Sequence, residues 1–242
     1  MIKAIDHIVI LVKDLAQASA DYAALGFTVV PGGEHTGGAT HNSLVAFADG
    51  SYLELIAFKR EAPEHRWWQY TLSHGEGLID FALLPTDIEN DLLAARQRGL
   101  EIEGPFPGGR ERPDGQQIKW QTGAPLTPDL PFLCADVTPR ELRVPSGDAW
   151  VHPNGVTAIA RLGVVTHDLP ASIEHYNALL GFEPTQDENG VVYKLGTANL
   201  TLYSQKAMLI GPLSLTLRSN TPIEFDRSLT HKVPLLNSVV TG

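Results

Sequence analysis

The stretch "HIVILVKDL" at residues 7–15 returns twice along the chain, as "DFALLPTDI" at 80–88 and "RLGVVTHDL" at 161–169. Each copy runs from an apolar strand-like segment to an aspartate, then through a helical stretch to a Gly-apolar pair. Those pairs are Gly26-Phe27, Gly99-Leu100 and Gly181-Phe182, and the Asp-to-Gly distances are 12, 12 and 13 residues. The first two copies also share "PGG", at 31–33 and 107–109. A repeat of this length takes precedence over any local reading, because it defines the unit that folds.

Within copy one, Ile5, His7, Val9 and Leu11 fall on one face of a strand, and Ile8, Ile10 and Val12 on the other. Asp14 has the chemistry of an N-cap, with Gln17 at the capping-box position. Leu15, Ala18, Tyr22 and Leu25 recur at helical spacing, and Gly26 closes the helix as its C′ residue. Asp87, Ile88, Leu92, Ala95 and Gly99 repeat the arrangement. So do Asp168, Leu169, Ile173, Tyr176, Leu180 and Gly181, with Pro170 tolerated in the first turn. Strands follow each helix: "FTVV", "SLVAF" and "SYLELIAF" after the first, "VVYKLG" and "NLTLYS" after the third.

Each unit therefore reads as βαβββ, and the chain as α+β. Half-sheets of this kind cannot bury their concave faces alone, so two modules, 1–60 and 76–137, are expected to pair into a cup-shaped mixed sheet. The Pro-rich stretch 138–155 reads as a linker. Residues 156–242 supply a third module, an incomplete fourth whose first strand is "LSLTLRS" (213–219), and an aperiodic tail over 222–242. The third module covers an exposed sheet or serves a dimer, so the expected state is monomer or homodimer.

Among 242 residues, 43% are hydrophobic and 19% charged, an ordinary balance for a globular protein with a self-sufficient core. The formal charge of −10 argues against nucleic acid and anionic membranes as partners. The single cysteine, Cys134, rules out an intramolecular disulfide or a CxxC zinc site and reads as a small buried hydrophobe. No signal peptide or membrane span is recognised at the N-terminus, and a reducing cytoplasm is the expected setting.

Tandem βαβββ units with this punctuation resemble the vicinal oxygen chelate superfamily of glyoxalase I, extradiol dioxygenases and bleomycin-resistance proteins. Within it the chain looks most like glyoxalase-like-domain proteins, on "GGEHTGGATHN" (32–42), "YLELI" (52–56), "GGRERPDG" (108–115) followed by "IKW", and "HPNGVT" (152–157). The resemblance implies a cup around a divalent metal, with ligands on the first and fourth strands of each module. His7, Glu54 and Asp80 occupy such positions. In module two Leu133 or Cys134 stands where the superfamily has glutamate, and module three offers only Arg161 and Thr201. A His/Glu/Asp set with open positions suits Mn, Fe(II), Mg or Zn.

Glu54 stands out from the residues alone, because a carboxylate on a half-buried strand face is costly unless partnered. It is the candidate catalytic group, as metal ligand or base. The glycine-rich segment 31–42 reads as a loop over the cup that presents His35, His41 and Asn42 to a ligand. Arg110 and Arg112 suggest contact with an anionic group, and Trp120, with Trp67-Trp68, suggests an apolar wall. His152 reads as structural. The resemblance thus implies metal-assisted isomerase or lyase chemistry on a small organic molecule. The alternatives are a metal-free sequestering protein of the bleomycin-resistance type and a ring-cleaving dioxygenase.

Overall fold

A computed structural model describes residues 2–188, 190–204 and 210–239. Module one contributes β1 (Ala4–Leu11), α1 (Leu15–Ala24), β2 (Val30–His35), β3 (Thr40–Ala46) and β4 (Tyr52–Phe58). A short helix, α2 (Trp68–Ser73), leads to module two: β5 (Gly77–Leu84), α3 (Ile88–Gln97), β6 (Ile102–Glu111), β7 (Gln117–Pro125) and β8 (Phe132–Asp136). Asp14 caps α1 by accepting from the Ala16 and Gln17 amides, and Asp87 caps α3 through the Asn90 amide. Gln17 does not complete a capping box; its amide donates to Asp21 instead.

The eight strands form a closed barrel in the order β1-β4-β3-β2-β6-β7-β8-β5. What the repeat predicts as a cup is thus sealed along two seams. At the long seam β1 runs antiparallel to β5 from Ala4↔Leu84 to Leu11↔Gly77. At the short seam β2 meets β6 through only Glu34↔Glu111 and His35↔Arg110. The repeated "PGG" lies on these two closing strands, so the segment expected as a loop is largely strand. Gly33 adopts φ +133°, and a Cβ there would sit 1.9 Å from the Glu111 carbonyl oxygen, so only glycine lets the strands meet.

The second half forms a six-stranded sheet. It begins with α4 (Arg140–Arg143) in the connecting segment, then β9 (Val156–Thr166), α5 (Leu169–Leu180), β10 (Thr185–Asp187), β11 (Gly190–Leu195), β12 (Ala198–Ser204), β13 (Gly211–Ser219) and β14 (Leu235–Val239). Its order is β10-β11-β12-β9-β13-β14. β12 pairs parallel with β9 as β4 does with β1, and β13 pairs antiparallel with β9 as β5 does with β1. β14 pairs parallel with β13. The fourth module therefore has a first and a last strand with only a short 3-10 turn, Arg227–Leu229, and no α-helix between them. The tail expected to be aperiodic supplies that last strand up to Val239, and its final residues 240–242 lie outside the described residues.

Alternation along β1 separates two apolar clusters. Ile8, Ile10 and Val12 point outward into a core continuous with Tyr22, Leu92, Leu162, Val164, Leu215 and Leu217, so the second sheet packs on the outside of the barrel. Val9 and Leu11 point inward with Ile56, Ala82, Phe132 and Cys134. Ile5 joins the outer core instead of the inner face, because the pairing of β1 with β5 shifts between Ile5 and His7. No helix among the described residues is long and apolar enough to cross a membrane.

The connection 138–155 is built into the barrel. His152 is buried, with its ring edge-on to Phe27 and Phe47. Its Nδ1 accepts from the Thr28 amide at 3.0 Å, so the proton sits on Nε2, which donates to the Ala46 carbonyl at 3.0 Å. A second proton on Nδ1 would face an N–H. Burial accordingly pulls this imidazole below its ordinary value of 6.5. A folded-state value below the unfolded one means stability is complete above about pH 6.5 and drains as pH falls toward the folded value. His152→Ala is expected to lower the thermal midpoint and to remove this histidine's share of the acid-side slope. Urea denaturation of both proteins between pH 7.5 and 5 checks it; an unchanged slope counts against the assignment.

Candidate functional site

The parallel register of β1 and β4 sets His7 opposite Tyr52 and Val9 opposite Glu54, so His7, Tyr52, Glu54 and Ile56 share the barrel's inner face. His7 stacks on Tyr52 with ring centroids 4.7 Å apart and meets Phe132 edge-on at 5.4 Å. These rings fix the imidazole plane, and a buried ion pair fixes its protons.

His7 Nδ1 lies 2.6 Å from Asp6 Oδ2. Asp6 is fully buried and accepts from Arg143 Nη1 at 2.8 Å and Nη2 at 3.0 Å, while Arg140 Nη2 lies 2.7 Å from Asp6 Oδ1. Burial alone would raise the Asp6 carboxyl, but Arg143 and His7 outweigh it and hold it well below the usual range. An ionised carboxylate only accepts, so His7 Nδ1 carries a hydrogen and Nε2 is directed at the barrel interior.

There His7 Nε2 stands 3.5 Å from Glu54 Oε2, at the limit of hydrogen bonding. The other oxygen, Oε1, accepts from Asn42 Nδ2 at 2.6 Å and faces His35 Nε2 at 3.3 Å. Burial pushes Glu54 up; the hydrogen bond and charge of His35, with His7 and Asn42, overcome that and bring it down to about 2. The Asn42 side chain reaches Glu54 because β2 is glycine at position 32, where a Cβ would come within 2.0 Å of Asn42 Oδ1. That oxygen has no hydrogen-bond partner among the described residues. His7, His35, Tyr52 and Glu54 line a cavity of about 340 Å³ whose walls include Trp67, Trp120, Phe132 and Arg110.

The predicted residues divide. His7, Glu54, His35, Asn42, Arg110 and Trp120 converge on the barrel interior. His41 does not: alternation on β3 turns Thr40 and Asn42 inward and His41 outward, opposite Glu34. Arg112 turns to the Leu142 carbonyl and Asp114. Asp80 is held by Arg66 and by Trp67 Nε1 at 3.0 Å. Trp68 packs edge-on against Phe58. The β5–β8 register pairs Ala82 with Phe132, so Phe132, not Leu133 or Cys134, stands where Glu54 stands in module one. Cys134 is buried, and burial pushes its thiol up to about 12.

The expected His7/Glu54/Asp80 set is therefore not assembled. Glu54 lies with His7 toward one oxygen and His35 toward the other. Among the described residues no three His, Cys, Asp or Glu side chains are grouped so as to hold a metal ion. Asp6, Arg143 and Tyr52 were not singled out in the sequence; only Asp6, a carboxylate beside a histidine in an apolar strand, left a trace there.

A family model described as "Glyoxalase-like domain" matches residues 5–180. Among curated proteins, no sequence matches the chain significantly. Among solved structures, a hypothetical protein from Staphylococcus aureus is similar over 90% of this chain and 92% of its own, with a TM-score of 0.74 at 16% identity. A mutant 4-hydroxymandelate synthase from Streptomyces coelicolor is similar over 91% of this chain and 72% of its own, with a TM-score of 0.63 at 15% identity. At these identities the likeness is one of fold.

Removing one partner of a buried ion pair strands the other charge. Arg143→Met is expected to cost about 3–5 kcal/mol, read from chemical denaturation. In an Asp6→Asn background the same change is expected to cost much less, because no buried carboxylate is left unpaired.

Proposed function

The chain belongs to the glyoxalase-like domain family, and on that premise we propose that it is an enzyme moving a proton on a small organic substrate held in the barrel cavity, in the isomerase or lyase manner of the glyoxalases. The observation that carries this reading is the chain Arg143–Asp6–His7, which aims one imidazole nitrogen at a cavity already holding a buried carboxylate.

The roles follow from the protons. Glu54, at about 2, is a poor proton acceptor near neutrality, where an efficient base has a value close to the working pH. His7 Nε2 suits that role better, since Asp6 fixes the tautomer and stabilises the imidazolium formed after proton uptake. Glu54 then offers a fixed negative charge beside that imidazolium, and Asn42 and His35 hold it in place. Tyr52 and Phe132 keep the ring from rotating and exclude water from it. A divalent ion, which the superfamily resemblance implies, would act by polarising a substrate oxygen. The residues do not present the expected three-ligand set, and none of these roles depends on an ion. The second reading, a sequestering protein, is favoured by the aromatic walls of the same cavity.

Hydrogen exchange at carbon tests the proposal across any substrate that carries an acidic C–H bond. A panel of small hydroxy and oxo acids is incubated with the protein in deuterated buffer, with and without added Mn, Fe(II), Mg or Zn, and followed by proton NMR. Protein-dependent loss of a C–H signal is expected, and His7→Ala should slow it about 10²–10⁴-fold. Asp6→Asn is expected to slow it while leaving substrate affinity near its original value. Ligand binding with no exchange for any acid would favour sequestration and reject the enzyme.

A further inference from the structure

Three guanidinium groups border the cavity, those of Arg66, Arg110 and Arg143, and two of them are matched by carboxylates. Arg66 pairs with Asp80, and Arg143 pairs with Asp6 and Asp136. Arg110 differs. It is 3% exposed, borders the cavity, and has no carboxylate within ion-pairing distance among the described residues. One Nη donates to the Arg143 carbonyl at 2.6 Å, and its Nε has no partner among those residues. A buried guanidinium left in this state is unfavourable, and its donor geometry matches a flat oxyanion.

The surroundings narrow the ligand. Arg110 pairs across the short seam with His35, one of the two imidazoles at Glu54. Trp120, Trp67, Phe132 and Ile56 provide flat apolar walls in the same cavity. Arg110 alone among these three cations is left over, and Glu54 lies close enough to act on it electrostatically, so a dianion would meet repulsion.

We propose that the cavity takes a small monocarboxylate with a flat, unsaturated or aromatic body, and that Arg110 receives its carboxylate. This rests on the cavity being the substrate site. The body then lies between the tryptophans, and its far end reaches His7 and Glu54. Substrates lacking the carboxylate would be held only by their apolar surface.

Indole N–H resonances of Trp120 and Trp67 report entry into the cavity. Benzoate, benzamide and phenyl phosphate are titrated into the full chain. Benzoate is expected to bind about tenfold or more tighter than benzamide, the scale of one charge-assisted bidentate contact. Arg110→Met should erase that preference, Arg110→Lys should retain part of it, and Arg161→Met on the second sheet should keep it whole. Equal affinity for benzoate and benzamide, or a preference that survives Arg110→Met, overturns the assignment of Arg110 while leaving the cavity as a ligand site. Tighter binding of phenyl phosphate overturns the monocarboxylate. If no probe shifts either indole, this inference falls, while the proposed function is decided by the exchange experiment. Should Arg110→Met not fold, Arg110→Lys decides, and an undiminished preference in it counts against the bidentate contact.

Discussion

The buried pair between Asp6 and Arg143 is the interaction on which the site depends. It joins the start of β1 to a helical turn 137 positions later. Each charge is costly to bury without the other, and both are satisfied: Asp6 by two arginines and an imidazole, Arg143 by Asp6, Asp136 and the Tyr52 hydroxyl. The desolvation penalty of such a pair gives little net stability against an apolar equivalent. Its value here lies in orientation. It sets the tautomer of His7, and with that which of the two ring nitrogens faces Glu54 without a hydrogen.

The same pair explains why the segment between barrel and second sheet is fixed and not a tether. Arg140 and Arg143 lie on one short helix, and His152 follows on the same connection with its tautomer set by one amide and one carbonyl. The connection thus supplies charge to the inner face of the barrel and a neutral ring to its outer layer. Module three packs on the barrel's outside, and none of its strands borders the cavity.

Much of the architecture was legible because it is periodic. The β1, β5 and β9 runs and the three capping aspartates announce the modules, and the position of His7 beside the Glu54 strand follows from the superfamily resemblance. What could not be read has no period. "VPGGEH" alternates nothing and reads as a loop, but pairing with β3 along most of its length, and with β6 at its end, makes it a strand. Arg143 sits in a proline-rich connection where an arginine is ordinarily solvated. Asp80 looked equivalent to His7 by alignment, but Arg66 and Trp67, on a segment particular to this region, claim its carboxylate. Phe132 replaced Leu133 and Cys134 as the counterpart of Glu54 because register, which a one-residue slip inverts, is set by tertiary pairing.

The short seam has a consequence beyond closure. β2 and β6 meet through two residue pairs, and one of them is His35 with Arg110. The narrowest joint between the halves is therefore made of the side chains that border the cavity. Whatever is gripped there from both sides becomes a rivet between two modules otherwise fastened mainly along the opposite edge. A ligand held there would by mass action stabilise the joint as well as fill the cavity, so binding and closure of the barrel would be measured as one free energy.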